Sequence, residues 1–147
     1  METNIVLSSK DRELFGITIR QETKTGFLSI SDLQKSYDVA RWQHGWTDRK
    51  ISDVMQTTVF KDSVFYLLEK QGVIKANRMG FMEQVENEGI AKVLKGLGVY
   101  KTTGARDTKS TYANMYIWLL IALELNPIMK SNVVMWLGDS LIFDRVE

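Results

Sequence analysis

The chain has 147 residues, 44% of them hydrophobic and 25% charged, with a formal net charge of +1. This is the composition of one ordinary globular domain, and it excludes a disordered or fibrous chain. The absence of cysteine and the presence of a single histidine exclude disulfides, cysteine-ligated zinc, iron–sulfur clusters, a thiol nucleophile and histidine-rich metal sites.

The first residues lack the cationic start and the long apolar run of a signal peptide. The longest apolar stretch, Met115–Leu125, is about half as long as a bilayer requires. We therefore expect a soluble, cytoplasmic protein with no membrane partner.

Positive charge is concentrated in two regions of the chain. Residues 40–78 contain seven Lys or Arg against four Asp or Glu, and residues 92–110 contain five against Asp107 alone. Residues 1–39, 79–91 and 111–147 are each net acidic. This asymmetry predicts one cationic face, although solvated faces of ordinary helices carry similar runs.

The N-terminal part predicts a β-hairpin followed by a short helix. Residues 15–20 and 27–30 alternate apolar and polar side chains, with a turn at residues 24–26. Ser31 and Gln34 fit a capping box, so we expect a helix from Ser31 to about residue 37 or 40.

The middle of the chain predicts a connector and three helices. Residues 41–46 are aromatic, basic and glycine-containing, as in a connector, and a second helix is expected to start at residues 47–48. A third helix is expected over residues 62–71, ending before a glycine. Residues 81–97 have continuous helical periodicity and predict one long helix.

The last third predicts a small hairpin and two helices. Short strands at residues 99–101 and 111–113 flank a basic loop, and Asn114 can cap a helix that runs through Leu125. The Asn126–Pro127 pair then predicts the start of a final helix that reaches about residue 143.

The expected fold class is α+β, with a mostly helical core, an N-terminal β-hairpin and a small β-hairpin wing. We expect one domain over residues 1–147. Residues 1–14 form an extension, residues 15–113 carry the hairpin, helices and wing, and residues 114–147 form a helix pair.

The residues do not predict an enzyme. No glycine-rich phosphate loop is present, and the glycines around Leu97 are typical of a helix end. Three glutamates between residues 83 and 88 do not share one helix face, which favours a solvated surface over a metal or acid–base site. His44 has no evident carboxylate partner or nucleophile. We expect no catalytic residues, no metal, no cofactor and no small-molecule substrate.

Two basic segments are candidates for nucleic-acid contact. The first basic segment is residues 41–50. Its tryptophans, Trp42 and Trp46, are expected to be core anchors, while its polar residues are equally consistent with base or phosphate contact and with simple solvation. The second basic segment, residues 101–109, would suit a wing that lies along a groove, although most such loops only keep a protein soluble. The candidate DNA-binding residues are Arg41, Gln43, His44, Arg49, Lys50, Lys101, Arg106 and Lys109.

A set of motifs runs through both halves of the chain. The C-terminal half contains Gly104-Ala105-Arg106, Thr111-Tyr112-Ala113-Asn114, residues 117–127 and Val133-Val134-Met135-Trp136-Leu137, and the N-terminal half contains Ile17-Thr18-Ile19-Arg20 and residues 26–33. Together these motifs resemble those of the KilA-N domain family. The match covers roughly residues 15–146, and residues 58–80 contain no motif that aligns. Ser29-Ile30-Ser31 stands for the family's Asn-Ala-Thr, Tyr112 for its Trp, and Asn114-Met115 for its His-Pro.

The resemblance implies a DNA-binding domain of phages, large DNA viruses and bacteria, related in fold to the fungal APSES domain. The resemblance implies a helix-turn-helix-like unit followed by a β-hairpin wing. Residues 31–37 would be the first helix of that unit, residues 47–56 its recognition helix and residues 99–113 the wing. The implied function is regulatory, similar to an antirepressor or transcription regulator, with double-stranded DNA as partner. The alternative is a protein-interaction module that binds a repressor or host factor, and a homodimer is possible in either case.

Overall fold

A computed structural model describes residues 6–7, 13–104 and 109–139, the first two by their backbone alone. Within these ranges the fold is α+β, with a mostly helical core and small antiparallel sheets. In chain order the elements are β1 (Val6–Leu7), β2 (Glu13–Leu14), β3 (Ile17–Thr18), β4 (Gln21–Glu22), β5 (Leu28–Ser29), α1 (Ile30–His44), α2 (Ile51–Met55), α3 (Thr58–Lys70), α4 (Arg78–Glu88), α5 (Ile90–Gly96), β6 (Tyr100–Thr103), β7 (Ser110–Ala113), α6 (Met115–Leu125) and α7 (Pro127–Leu137).

The two predicted hairpins are joined in one five-stranded sheet of order β1-β4-β5-β7-β6. Strand β5 pairs with β7, so that Leu28 lies opposite Ala113. The predicted N-terminal turn at residues 24–26 is present, with Gly26 at φ 78°. The partner of β5 is β4, however, and not the predicted strand within residues 15–20.

Residues 15–20 instead belong to a separate hairpin in which β3 pairs with β2. Phe15 and Gly16 form its two-residue loop with φ of 52° and 80°. Positive φ at both central residues is the type I′ geometry that matches the twist of an antiparallel pair. The chain then turns at the fully buried Ile19, which ends the alternation that suggested one continuous strand.

Helix α1 begins earlier and ends later than the sequence indicates. Its N-cap is Ser29, whose hydroxyl accepts a hydrogen bond from the amide of Asp32 at 3.0 Å. The predicted capping box is therefore wrong, because the Ser31 hydroxyl accepts instead from the amide of Thr111 in β7, also at 3.0 Å. The helix continues to His44 and ends at Gly45, which has φ 73°.

The expected connector at residues 41–46 is consequently also wrong, since residues 41–44 form the last turn of α1. The following residues run back along this helix and are held there by side chains. Tyr37 donates its hydroxyl proton to the carbonyl of Thr47 at 2.7 Å, and the Gln34 side chain accepts from the amide of Ile51 at 2.7 Å. Helix α2 therefore begins at Ile51 rather than at residues 47–48, and the predicted recognition helix shrinks to five residues.

The expected long helix at residues 81–97 is two helices. Gly89 has φ 91° and ψ 145°, a conformation that essentially only glycine adopts, and it separates α4 from α5. Apolar periodicity continues across the break, which is why the pattern suggested a single helix. Helix α3 also starts before its expected residue, because Thr57 caps it by accepting from the amide of Phe60.

The C-terminal predictions are confirmed over the described residues, except for the end of the last helix. Asn114 caps α6 by accepting from the amide of Tyr116 at 2.8 Å, and Asn126 caps α7, with Pro127 at its first position. Helix α7 ends at Leu137, with Gly138 as its C-cap, which is earlier than the expected residue 143, and residues 140–143 lie outside the described residues.

Helix α6 lies at the centre of the fold and packs against α2, α3, α7 and β5. Trp118 is fully buried on it, and its indole Nε1 donates to the carbonyl of Ser29 at 3.0 Å. The apolar core thus connects residues 15–113 with the C-terminal helix pair through the start of α1. Among the helices of the described ranges, none is long and apolar enough to cross a membrane.

Candidate nucleic-acid interface

The short helix α2 and the hairpin β6–β7 line one cleft of about 240 Å³. Its apolar wall includes Met55 of α2 and Tyr100 of β6, whose hydroxyl lies 3.9 Å from the Met55 sulfur. Burial raises the pKa of the Tyr100 phenol. The polar residues at this cleft are Ser31 and Gln34 of α1, Ser52 and Gln56 of α2, and Thr111 of β7. The two elements that the sequence predicts to contact DNA are therefore neighbours.

An ion pair fixes the hairpin to the rest of the sheet. The Lys101 ammonium lies 2.7 Å from a carboxylate oxygen of Glu22, which is only 5% exposed. Thr25 donates to the same carboxylate at 2.6 Å. Burial alone would raise the pKa of Glu22, but the hydrogen bonds from Lys101 and Thr25 outweigh it and hold this pKa below its usual value. Lys101 therefore anchors the base of the hairpin.

A second buried carboxylate, Asp32, fixes the start of α1. Arg20 donates to it from its backbone amide at 2.9 Å, from Nε at 2.8 Å and from Nη2 at 3.1 Å. The side-chain hydrogen bond to Asp32 raises the pKa of Arg20. The guanidinium also lies 6.0 Å from the ring centre of Tyr112 in β7. These contacts make the junction of α1 and the two hairpins rigid.

The first basic segment is partly neutralised by its own aspartate. One Asp48 oxygen lies 3.5 Å from Nε of Arg41 and 3.5 Å from the ammonium of Lys50. The Asp48 and Lys50 side chains are more than half exposed. Ion pairs in such surroundings contribute little and exchange readily with other partners.

The tryptophans differ from expectation in one case. Trp42 is 79% exposed and lies under the Arg41 guanidinium, 5.1 Å from ring centre to charge, so the prediction of a core anchor is wrong there. The last turn of α1 directs position 42 away from the buried stripe of Tyr37 and Ala40. Trp46 is partly buried beside Tyr37 and Phe15, as expected of an anchor.

The other candidate residues occupy three places. Gln43 and His44 are exposed on the last turn of α1, where the His44 ring stacks on Trp46 at 5.3 Å. Arg49 is half-buried beside Lys130 in a separate recess at the α6–α7 junction. Lys109 is exposed just before β7, and Arg106 lies outside the described residues. Lys50 stands at the N-cap of α2, but none of the candidate residues in the described part of the chain lines the cleft itself.

The outward face of α2 carries residues that were not among the candidates. Ile51, Val54 and Met55 are buried, so Ser52 and Gln56 face outward and line the cleft, with Asp53 exposed beside them. With the start of α2 known, Ser52 and Gln56 could have been identified as the positions that lie outside its apolar stripe. The cations of this segment stand before the helix and not on its outer face.

Comparisons with models of protein families, with curated proteins and with solved structures found no match for the chain. The KilA-N resemblance accordingly stays a prediction from the residues quoted above. In the described part of the chain, no group of three or more His, Asp or Glu residues is placed to hold a metal ion.

Proposed function

We propose that this chain is a non-enzymatic, duplex-DNA-binding module of phage or mobile-element type that acts as a regulator in the bacterial cytoplasm. The observation that supports this proposal best is the shared cleft of α2 and the hairpin β6–β7. A short helix beside a rigidly held hairpin can engage a groove and the adjacent phosphate backbone at the same time.

In this proposal the polar groups and the cations have separate tasks. Ser52 and Gln56 on the outward face of α2 supply hydrogen-bonding groups for base edges. Lys50 at the N-cap of α2 and Lys109 just before β7 supply phosphate contacts, and Arg106, which follows β6 in the sequence, is expected to supply another. Lys101 has a structural task, because its ammonium is engaged by Glu22.

The proposal also accounts for the ion pair between Lys50 and Asp48. Both side chains are more than half exposed, so exchanging the carboxylate for a phosphate costs little. The ion pair with Asp48 therefore leaves Lys50 able to contact a DNA phosphate.

Binding to a fluorescent duplex across a salt series tests the proposal. Each phosphate contact contributes about 0.9 to the slope of log affinity against log salt, so the Lys50→Ala/Lys109→Ala variant should flatten the slope by about 1.8. Arg106→Ala should flatten it by about 0.9 more. The matched control is Lys70→Ala/Lys75→Ala, with the same charge change at the exposed last residue of α3 and in the connection that follows it. Absence of binding at low salt, or equal slopes for both double variants, would refute the proposal.

One observation favours the alternative, a module that binds a repressor or host factor. Val59 and Tyr66 lie seven residues apart on α3 and are 59% and 63% exposed, which places two large apolar side chains on one outward helix face. In that case Tyr66→Asp would abolish binding of the protein partner, while duplex DNA would show no affinity above that of a neutral control protein.

A further inference from the structure

A groove of about 750 Å³ separates the start of α3 from α4 and adjoins the cleft described above at Gln56, which lines both. Two methionines of α4, Met79 and Met82, line it, and Met79 is 79% exposed. Charged side chains also line the groove, namely Lys61, Arg78, Glu83 and Glu86.

These residues form one face of α4. Positions 79, 82, 83 and 86 follow the spacing of three and four that brings side chains onto one side of a helix. Phe81 and Val85 are buried in the core, and Val85 also forms part of the groove wall. Helix α4 thus buries one side in the core and presents two methionines and two glutamates to the groove.

The charges in the groove are arranged with opposite signs at its two ends. Arg78 stands at the first turn of α4, and Lys61 belongs to the neighbouring α3. Glu86 lies about 12 Å further along α4, given the rise of 1.5 Å per residue. Asp62, 2.7 Å from Nε of Arg78, holds this arginine at the α3–α4 junction.

A surface with a protruding methionine, an adjacent groove and opposite charges at its ends is complementary to itself. A two-fold axis through the middle of α4 would set the helices antiparallel and bring the cationic end of one copy to the acidic end of the other. The same axis would place the exposed Met79 of each copy in the groove of its partner. Methionine suits this role because its flexible side chain adapts to irregular surfaces.

We infer that the groove between α3 and α4 is the interface of a homodimer, with the second copy of this chain as its occupant. Lys61 and Arg78 of each copy face Glu83 and Glu86 of the other. The groove meets the cleft between α2 and the hairpin at Gln56, which lines both, whereas Ser52 and Tyr100 line the cleft alone. The variants that test the pairing therefore change only residues of α3 and α4 that do not line the cleft.

Two charge-reversal variants test the inference by sedimentation velocity over a concentration series. Lys61→Glu/Arg78→Glu makes all four charged residues of the groove lining acidic, and Glu83→Lys/Glu86→Lys makes all four basic, with Asp62 unchanged beside position 78. Like charges then meet across the axis, so each variant alone should dissociate at least about tenfold more readily than the wild type. An equimolar mixture should form a heterodimer, because opposite charges then meet at every contact.

A second pair of variants separates the apolar contact from a general effect of surface charge. Met79→Asp should make the protein monomeric, whereas Met135→Asp, at a methionine of α7 that is 57% exposed, should leave the dimer unchanged. Circular dichroism melting confirms that each variant is folded. A wild type that is monomeric at every concentration, or charge-reversed variants that dimerise like the wild type and do not prefer each other, would overturn the inference.

Discussion

Replacing Lys101 with alanine should destabilise the fold, because this side chain is the ionic partner of a buried carboxylate. Its ammonium lies 2.7 Å from Glu22, whose side chain is 6% exposed. Removing one member of a buried ion pair leaves the other charge without compensation, which typically costs about 3–5 kcal/mol. A lysine that only contacted DNA would give no such loss.

The expected cost lies below that range for two structural reasons. The Lys101 side chain is 32% exposed, so water already screens part of the pair. Thr25 also keeps its hydrogen bond to Glu22 at 2.6 Å after the substitution. We therefore expect a loss of about 2 kcal/mol, which for a chain of this size lowers the Tm by roughly 6 °C.

Urea denaturation of the wild type, Lys101→Ala, Glu22→Gln and the combined variant measures the coupling free energy between Lys101 and Glu22. Glu22→Gln keeps an oxygen that can accept from Thr25 and should cost about 1 kcal/mol. The combined variant should lose less than the sum of the two single losses, with a coupling of at least about 1 kcal/mol.

The pH dependence of the stability difference provides an independent test of the ion pair. The folded-state pKa of Glu22 is lowered, so its stabilising contribution is complete above the unfolded value of about 4.3 and is lost as the pH falls through the folded value. The difference between wild type and Lys101→Ala should therefore shrink as the pH falls from about 5 towards 3. A variant with unchanged stability at pH 7 and a flatter salt slope for DNA would show that Lys101 is a phosphate contact and that our reasoning is wrong.

Three further predictions concern the fold. Gly89→Ala should lower the free energy of unfolding by about 1–3 kcal/mol in urea denaturation, because φ 91° is strained for alanine. Gly96→Ala, in the helical backbone of α5, should be neutral or stabilise by up to about 1 kcal/mol. Equal effects of the two substitutions would contradict the break between α4 and α5 at Gly89. Trp118→Phe should lower stability by about 1–3 kcal/mol, since it leaves the buried carbonyl of Ser29 without its indole donor, and an unchanged urea midpoint would speak against that bond. The raised pKa of Tyr100 predicts that stability is lost as the pH rises from about 10 towards the folded value; Tyr100→Phe should reduce this alkaline loss, and identical pH profiles would refute the burial of the phenol.

Local signals in the sequence determined the elements whose ends depend on a cap or a glycine. Asn114, Asn126 and Pro127 define the start of α6 and α7 through contacts within three residues, so the sequence predicts them correctly. The glycine after α3 and the turn at Gly26 are equally local. The α+β class follows from the same signals, because the two hairpin turns and the helical periodicities can be read separately.

Tertiary contacts determine where a helix starts when its expected capping side chain has a competing partner elsewhere in the fold. Ser31 and Gln34 are suitable for a capping box, but the fold uses their side chains to bind the amides of Thr111 and Ile51, distant in the chain. These bonds move the start of α1 to Ser29 and that of α2 to Ile51. Only packing determines which donor a polar side chain meets.

The candidate site shows the same division. Composition and charge selected the two basic segments, and the cleft between α2 and the hairpin shows that the fold brings their structural elements together. The task of an individual cation depends on the carboxylate that lies beside it, as Glu22 does for Lys101 and Asp48 for Lys50. Asp48 and Lys50 are two positions apart, but Glu22 and Lys101 are 79 positions apart and the sequence does not reveal their proximity. They meet because β4, β5, β7 and β6 share one sheet, and a charge count contains no information on sheet order.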